Sequence, residues 1–294
     1  MELSGVLPPV TTPFGEDGEV AYDRMAENLE RWNRTDLSGY VVVGSTGECA
    51  TLTEREKLRL WEVARQHIPT EKRFIAGTGC ESTRETIALT RQAASIGADA
   101  ALVVTPWYYK GAMKTRELVA HFSAVADAAP IPILLYTFPQ CTGVVMEPAA
   151  VARLADHPNI IGMKDSSEVM GTFAEYIRVT PPSFRLFVGS ALTFYMALCL
   201  GARGGILALA NVAPQECVLI HRLFMDGKRE EAKQLQLRLM SLAHAIGARF
   251  GIAGVKAAMA LRGYYGGPPR SPLLPLGDEE IKVLRQELAA AGLV

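Results

Sequence analysis

Apolar residues recur along the chain in short unbroken runs, each followed by a polar stretch of different period. The runs "GVLPPVTTPF" from Gly5, "GYVVVGSTGE" from Gly39, "RFIAGTG" from Arg73 and "AALVVTPWYY" from Ala100 open the series. It continues with "PILLYTFP" from Pro132, "IIGMKDSS" from Ile160, "RLFVGS" from Arg185 and "GGILALAN" from Gly204. Runs of this length without alternation fit strands covered on both faces, as in a parallel sheet. The intervening segments carry helical spacing. In "LTEREKLRLWEVARQ" Leu52, Leu58, Leu60, Trp61 and Val63 sit among charges, and "HFSAVADAA" and "AVARLADH" behave likewise. Thr53 with Glu56, and Ser82 with Glu85, match the capping box, in which hydroxyl and carboxylate satisfy the free amides of a helix start.

Strands alternating with helices over about 225 residues predict an α/β fold, a (β/α)8 TIM barrel, over residues 1–226. The alternative is a doubly wound open sheet. It is disfavoured because no G-x-G-x-x-G follows the first strand and no Walker-type phosphate loop occurs. After residue 226 the strand rhythm stops. "KREEAKQLQLRLMSLAHAIGARF" and "DEEIKVLRQELAAAG" read as helices separated by "GYYGGPPRSPLLPLG". Residues 227–294 are therefore expected to form a helical appendage packed on the barrel, helping to build an oligomer interface.

Composition narrows the partners. With 49% hydrophobic and 21% charged residues and a formal charge of −1, the chain has ample core material and no electrostatic case for nucleic acid or a membrane surface. No apolar stretch reaches membrane-spanning length, and "MELSGVLPPVTTPFG" does not read as a signal peptide, so a cytoplasmic protein is expected. Cys49, Cys80, Cys141, Cys199 and Cys217 are odd in number and lack paired spacing, which suggests reduced thiols. The histidines are scattered as well, and no metal is expected.

Barrel enzymes place their chemistry at the C-terminal ends of the strands. Ser45, Thr46, Gly47 and Glu48 follow the second run, and Thr105, Trp107, Tyr108 and Tyr109 the fourth. Tyr136 and Thr137 end the fifth run, Lys164 the sixth, Gly189 and Ser190 the seventh, and Asn211 the eighth. That inventory favours amine chemistry. A lysine desolvated in a barrel wall has a lowered pKa, and its neutral amine can attack a ketone to form a Schiff base. A tyrosine on the adjacent strand can shuttle the protons. Glycines and hydroxyls from Gly44 to Gly47 suit a carboxylate held without an arginine.

Each feature also has a plainer reading. Lys164 could be a solvated loop residue, Tyr136 a core tyrosine, and "GSTGE" an ordinary strand-to-helix turn. Ser166, Gly189 and Ser190 could contact the distal end of a substrate or simply build turns. Asp165 is expected to point away from Lys164 in a structural role. Lys256, in "GVKAAM", is a rival amine, but it lies on an expected helix of the appendage, where a surface role is anticipated.

"GSTGECATLTEREK", "VVTPWYYKG", "LLYTFPQCTG" and "IIGMKDSS", in this order and at this spacing, resemble the dihydrodipicolinate synthase / N-acetylneuraminate lyase family of class I, pyruvate-dependent aldolases. The resemblance runs from about Gly5 to "RSPLLPL". It implies a TIM barrel with C-terminal helices, a homotetramer of two tight dimers, and a covalent Schiff base on Lys164 in place of any cofactor. It also implies that Tyr136 relays protons and that Ser45 and Thr46 bind the keto-acid carboxylate, with Ser45 also in the relay. Tyr108 matches the tyrosine that a dimer neighbour contributes, while Tyr109 stands where synthases commonly have asparagine.

Cys141 stands where the synthases carry an arginine that grips the carboxylate of aspartate semialdehyde. A thiol cannot form that bidentate pair, and its loss costs on the order of several kcal/mol of acceptor binding. "AGTGCEST", "GADAALVVTPWYYKG", "HPNIIGMKDSS", "GGILALANV", "RFGIAGVK" and "GYYGGPPRSPL" resemble the 4-hydroxy-2-oxoglutarate aldolases, which also lack the arginine but tend to have "GSNGE". The expected activity is cleavage of a 4-hydroxy-2-oxo acid, 4-hydroxy-2-oxoglutarate first, to pyruvate and an aldehyde such as glyoxylate. The alternatives are 4-hydroxy-tetrahydrodipicolinate synthesis from pyruvate and aspartate semialdehyde, and a keto-deoxy sugar acid aldolase or dehydratase. A sensor that only binds a keto acid would need neither Lys164 nor Tyr136.

Overall fold

The structure, a computed structural model, describes residues 3–294. Strands and helices alternate: β1 (Gly5–Leu7), α1 (Tyr22–Asn33), β2 (Gly39–Val42), α2 (Glu54–His67), β3 (Arg73–Gly77), α3 (Thr83–Ile96), β4 (Ala100–Val104) and α4 (Thr115–Ala128). Next come β5 (Ile133–Thr137), the one-turn α5 (Pro139–Thr142), α6 (Pro148–Ala155), β6 (Ile160–Asp165), α7 (Met170–Val179), β7 (Arg185–Val188), α8 (Phe194–Leu200), β8 (Gly204–Ile206) and α9 (Pro214–Met225). The helices α10 (Arg229–His244), α11 (Gly251–Leu261) and α12 (Asp278–Ala290) follow, with a π-helical turn at Ala245–Arg249 between the first two.

The ladders are all parallel and run in the order β1-β8-β7-β6-β5-β4-β3-β2. A parallel bridge between Pro9 and Val41 joins the two ends, so the ring closes into the expected barrel. Strand β1 is only three residues long because Pro8 and Pro9 have no N–H to give to a ladder. The seam with β2 survives on carbonyls. The Val41 amide donates to Pro8 at 3.0 Å, and the Val10 amide donates back to Val41 at 2.9 Å.

The period of two along each strand sorts side chains into two layers. Leu7, Val41, Ile75, Leu102, Leu134, Phe187 and Ile206 face one another inside the ring. Trp32, Trp61, Phe122, Phe173 and the alternate strand residues fill the shell between strands and helices. Full burial of one such large apolar side chain contributes about 1.5–3 kcal/mol.

Thr53 forms the full capping box of α2: its hydroxyl accepts from the Glu56 amide and its own amide donates to the Glu56 carboxylate at 2.8 Å. Ser82 accepts from the Glu85 amide at 3.1 Å, and among the described residues the return bond is not made. Asn211 does not end a strand. Strand β8 stops at Ile206, and Asn211 sits buried in the turn Ala208–Asn211, its amide bonded to the Pro9 and Ala208 carbonyls. The paired glycines of β8 favour this early exit, since they add no side chain to hold a longer strand.

Thr53→Ala should lower stability by about 1 kcal/mol. Ser82→Ala should cost less, because only one bond of its box exists. The thermal midpoints of the two variants check the order.

Candidate active site

Three neighbouring strand ends build the centre. Register pairs Tyr136 on β5 with Lys164 on β6, and Lys164 with Phe187 on β7. All three point into the ring, where Lys164 is 4% exposed. Its Nζ lies 4.2 Å from the centroid of the Tyr136 ring, a contact that stabilises the cation. Desolvation nevertheless dominates and pulls the amine down to about 7; the thiols of Cys141 and Cys49 lie near enough to act weakly in the opposite sense. Burial likewise pushes the Tyr136 phenol up, while hydrogen bonds from the hydroxyls of Ser45 and Ser166 oppose the shift. Lysine, tyrosine and two serine hydroxyls thus form one polar cluster in an apolar ring. Asp165 points to the other face, as alternation requires, and accepts from the amide and hydroxyl of Ser167 at 2.8 and 3.0 Å.

The turn after β2 faces this cluster. Val43, a β-branched residue, takes a left-handed φ of 64° where β2 ends, a conformation that costs about 1–3 kcal/mol unless its surroundings enforce it. The turn Ser45–Gly47 follows. The amides of Gly47 and Glu48 are spent inside the turn, on Gly44 and Ser45. Those of Ser45 and Thr46 meet no backbone acceptor among the described residues, so with the Thr46 hydroxyl they are the donors left for an anion. Gly47 contributes by its small size: a Cβ there would lie 2.9 Å from the Val10 carbonyl.

Gly189 is needed for the same reason. A Cβ at this position would stand 1.8 Å from Ser166 Oγ and 2.9 Å from Lys164 Cε. Ser166 and Gly189 therefore belong to the amine's immediate surroundings. Ser190 does not: its hydroxyl donates to Glu168 at 2.8 Å and accepts from the Leu192 amide, capping a turn.

Comparison with known proteins fits this geometry. Residues 2–291 match the model of the dihydrodipicolinate synthetase family. The chain belongs to that family. It is 38% identical to the 4-hydroxy-tetrahydrodipicolinate synthase of Methanothrix thermoacetophila over 97% of this chain and 95% of that one. With the synthase of Archaeoglobus fulgidus it shares 36% identity over 99% of both chains. Among solved structures, the pyruvate complex of the chloride-inhibited dihydrodipicolinate synthase from Acinetobacter baumannii superposes with a TM-score of 0.94 at 31% identity, covering 99% of each chain. Membership makes the chain an enzyme of the class I aldolase type, which makes or breaks a carbon–carbon bond. These relatives bear the synthase name, not that of the 4-hydroxy-2-oxoglutarate aldolases suggested by the shorter motifs.

The other sequence candidates lie elsewhere. Tyr108 and Tyr109 are 75% and 72% exposed, edge to face at 5.1 Å, and the Glu81 carboxylate holds the backbone amide of Tyr108 at 2.7 Å. Within one chain neither joins the cluster. Lys256 overturns its expectation. It is not on the surface but 1% exposed, with Nζ 2.5 Å from Glu48 Oε1. The apolar spacing of "GVKAAM" already hinted at burial; the acidic partner, far away in sequence, was invisible. The contribution of Ser166 to the tyrosine was also missed, because its neighbour across the strands is set by register alone.

The folded pKa of Lys164, about 7, lies below the ordinary 10.5, so the group destabilises the fold while it is charged. That penalty is fully present below pH 7 and fades as pH rises toward 10.5. Lys164→Met should therefore raise the thermal midpoint at neutral pH, by the equivalent of several kcal/mol at most. The gap from wild type should close by about pH 10, which parallel melts across pH would show.

Proposed function

We propose that the protein joins pyruvate to an aldehyde, or releases it from the corresponding hydroxy-oxo acid, through a Schiff base on Lys164. The observation that carries this reading is an amine buried in the barrel wall, held near neutral pKa, 4.2 Å from the ring centroid of a phenol that the hydroxyls of Ser45 and Ser166 influence. Nζ adds to the C2 ketone of pyruvate, and Tyr136 passes the protons that turn the carbinolamine into an iminium and water. The amides of Ser45 and Thr46, with the Thr46 hydroxyl, hold the carboxylate, while the Ser45 hydroxyl stays with the phenol. The iminium draws electrons from C3, so loss of a C3 proton gives an enamine that attacks the aldehyde carbon. Hydrolysis then frees the lysine. The same steps in reverse cleave a 4-hydroxy-2-oxo acid.

The names of the curated relatives favour the condensing direction with aspartate semialdehyde as the acceptor. One observation favours the second reading, cleavage of 4-hydroxy-2-oxoglutarate. Cys141, exposed at the mouth and close enough to act on Lys164, offers a thiol where a carboxylate-gripping arginine would serve the semialdehyde. We further read residues 1–226 as the catalytic barrel and 227–294 as a helical region shared with an assembly. The exposed pair Tyr108 and Tyr109 supports a homotetramer of tight dimers in which Tyr108 enters the neighbour's proton relay. No helix among the described residues is long and apolar enough to cross a membrane, which accords with a cytoplasmic enzyme.

Borohydride reduction in the presence of pyruvate should mark wild type covalently and leave Lys164→Ala unmarked. The initial trapping rate should climb as pH passes upward through about 7, because the neutral amine is the nucleophile. Tyr136→Phe should slow turnover by about 10²–10⁴-fold while the protein still binds pyruvate. Parallel assays with aspartate semialdehyde plus pyruvate and with 4-hydroxy-2-oxoglutarate separate the readings: turnover of the first alone supports synthesis, and of the second alone supports cleavage. Absence of a pyruvate adduct on wild type would overturn both.

A further inference from the structure

The turn that faces Lys164 is held from two sides. On one side Thr12, just after β1, donates its hydroxyl to the Gly47 carbonyl at 2.6 Å. On the other, Glu48 closes the turn in a left-handed conformation, φ 57° and ψ 35°, with its amide bonded to Ser45. That conformation is unfavourable for a residue with a side chain, so something must hold it. The Glu48 carboxylate is fully buried and directed away from the active centre toward the C-terminal helices. Its Oε2 accepts from the Arg270 amide at 2.8 Å, and its Oε1 faces Lys256 Nζ at 2.5 Å.

Lys256 itself is fixed in place. Its ammonium donates to the Pro268 carbonyl at 2.8 Å and lies 4.5 Å from the centroid of the Phe14 ring. The guanidinium of Arg270 stacks 4.4 Å from the same ring. It also grips both oxygens of Glu56 and the carbonyls of Gly18 and Thr51. One cluster therefore links α11 and the segment after it to the first residues beyond β1 and to the start of α2.

We infer that Lys256 is a positioning residue for the substrate-carboxylate turn: its ion pair with Glu48 sets the backbone from which Ser45 and Thr46 present their donors. The inference rests on the reading that this turn holds the keto-acid carboxylate. Lys256 is too deeply buried to meet substrate, so it acts only through Glu48. A buried ion pair is a weak source of net stability, since desolvation offsets the attraction. What it supplies here is direction, because the carboxylate has one place to go and pulls the turn with it. The C-terminal helices thereby become part of substrate binding.

The test uses the full-length protein with Glu48→Gln, Lys256→Met and the double variant. Glu48→Gln keeps an oxygen for the Arg270 amide, and it carries the test should Lys256→Met fail to fold. Each single variant should raise the pyruvate concentration for half-maximal borohydride trapping, and KM for pyruvate, by about tenfold or more, as expected when positioned groups are displaced. The rate at saturating pyruvate should stay within about threefold of wild type. The double variant should recover part of the loss, since no unpaired charge remains. Half-saturation at the wild-type value in a folded single variant that has only a lower melting midpoint would overturn the inference, as would a loss confined to kcat. Wild type that takes no pyruvate adduct would sink the functional reading itself, a different and separately visible outcome.

Discussion

The amine of Lys164 is buried where an ammonium is costly, and much of the barrel's upper rim is arranged around that cost. Closure of eight parallel strands removes solvent from the inward faces, and the ring of Val41, Ile75, Leu134 and Phe187 below gives the amine no counter-ion. The face of the Tyr136 ring and, weakly, the thiols of Cys141 and Cys49 offset part of that cost, and the result is a lysine poised near neutrality. Crowding at the same point requires Gly189, since any side chain there would collide with Ser166 and with the lysine's own stem. A group that weakens the fold is thus kept by surroundings that leave it no other position.

A second constraint lies across the ring, in the turn after β2. Here the backbone departs from ordinary geometry at Val43 and Glu48, and it is pinned by Thr12 in the barrel and by Lys256 and Arg270 beyond it. The arrangement explains how a stretch rich in glycine and small hydroxyls can stay rigid enough to present two free amides. It also gives α11 and the segment after it a reason to pack as they do: they carry Lys256 and Arg270, the positive charges that face the buried Glu48 and the half-buried Glu56.

The recurring apolar runs were sufficient to read the parallel barrel, because short unbroken runs alternating with amphipathic helical segments are a mark that surface strands do not share. The lysine and tyrosine were legible for the same reason, as polar residues ending apolar runs. Asn211 was misplaced because run length overestimates a strand whose glycines let it end early. Ser190 was placed with the active centre by its position after β7, yet its hydroxyl is consumed by Glu168, a contact that spacing does not reveal. Short motifs pointed to cleavage of a hydroxy-oxo acid, whereas whole-chain similarity points to the synthases.

By itself, then, the order of apolar and polar residues determined the fold class, the strand that carries the amine and the kind of chemistry an amine and a phenol can share. These follow from local periodicity and from the cost of burying a charge, both of which are written within a few residues. Only the tertiary structure decided which groups surround them. Register between β5 and β6 set Tyr136 beside Lys164, ring closure brought Ser45 to the phenol, and the packing of α11 delivered Lys256 to a carboxylate more than two hundred residues earlier in the chain. Such contacts depend on how distant segments fill one shared volume, and no local pattern encodes that.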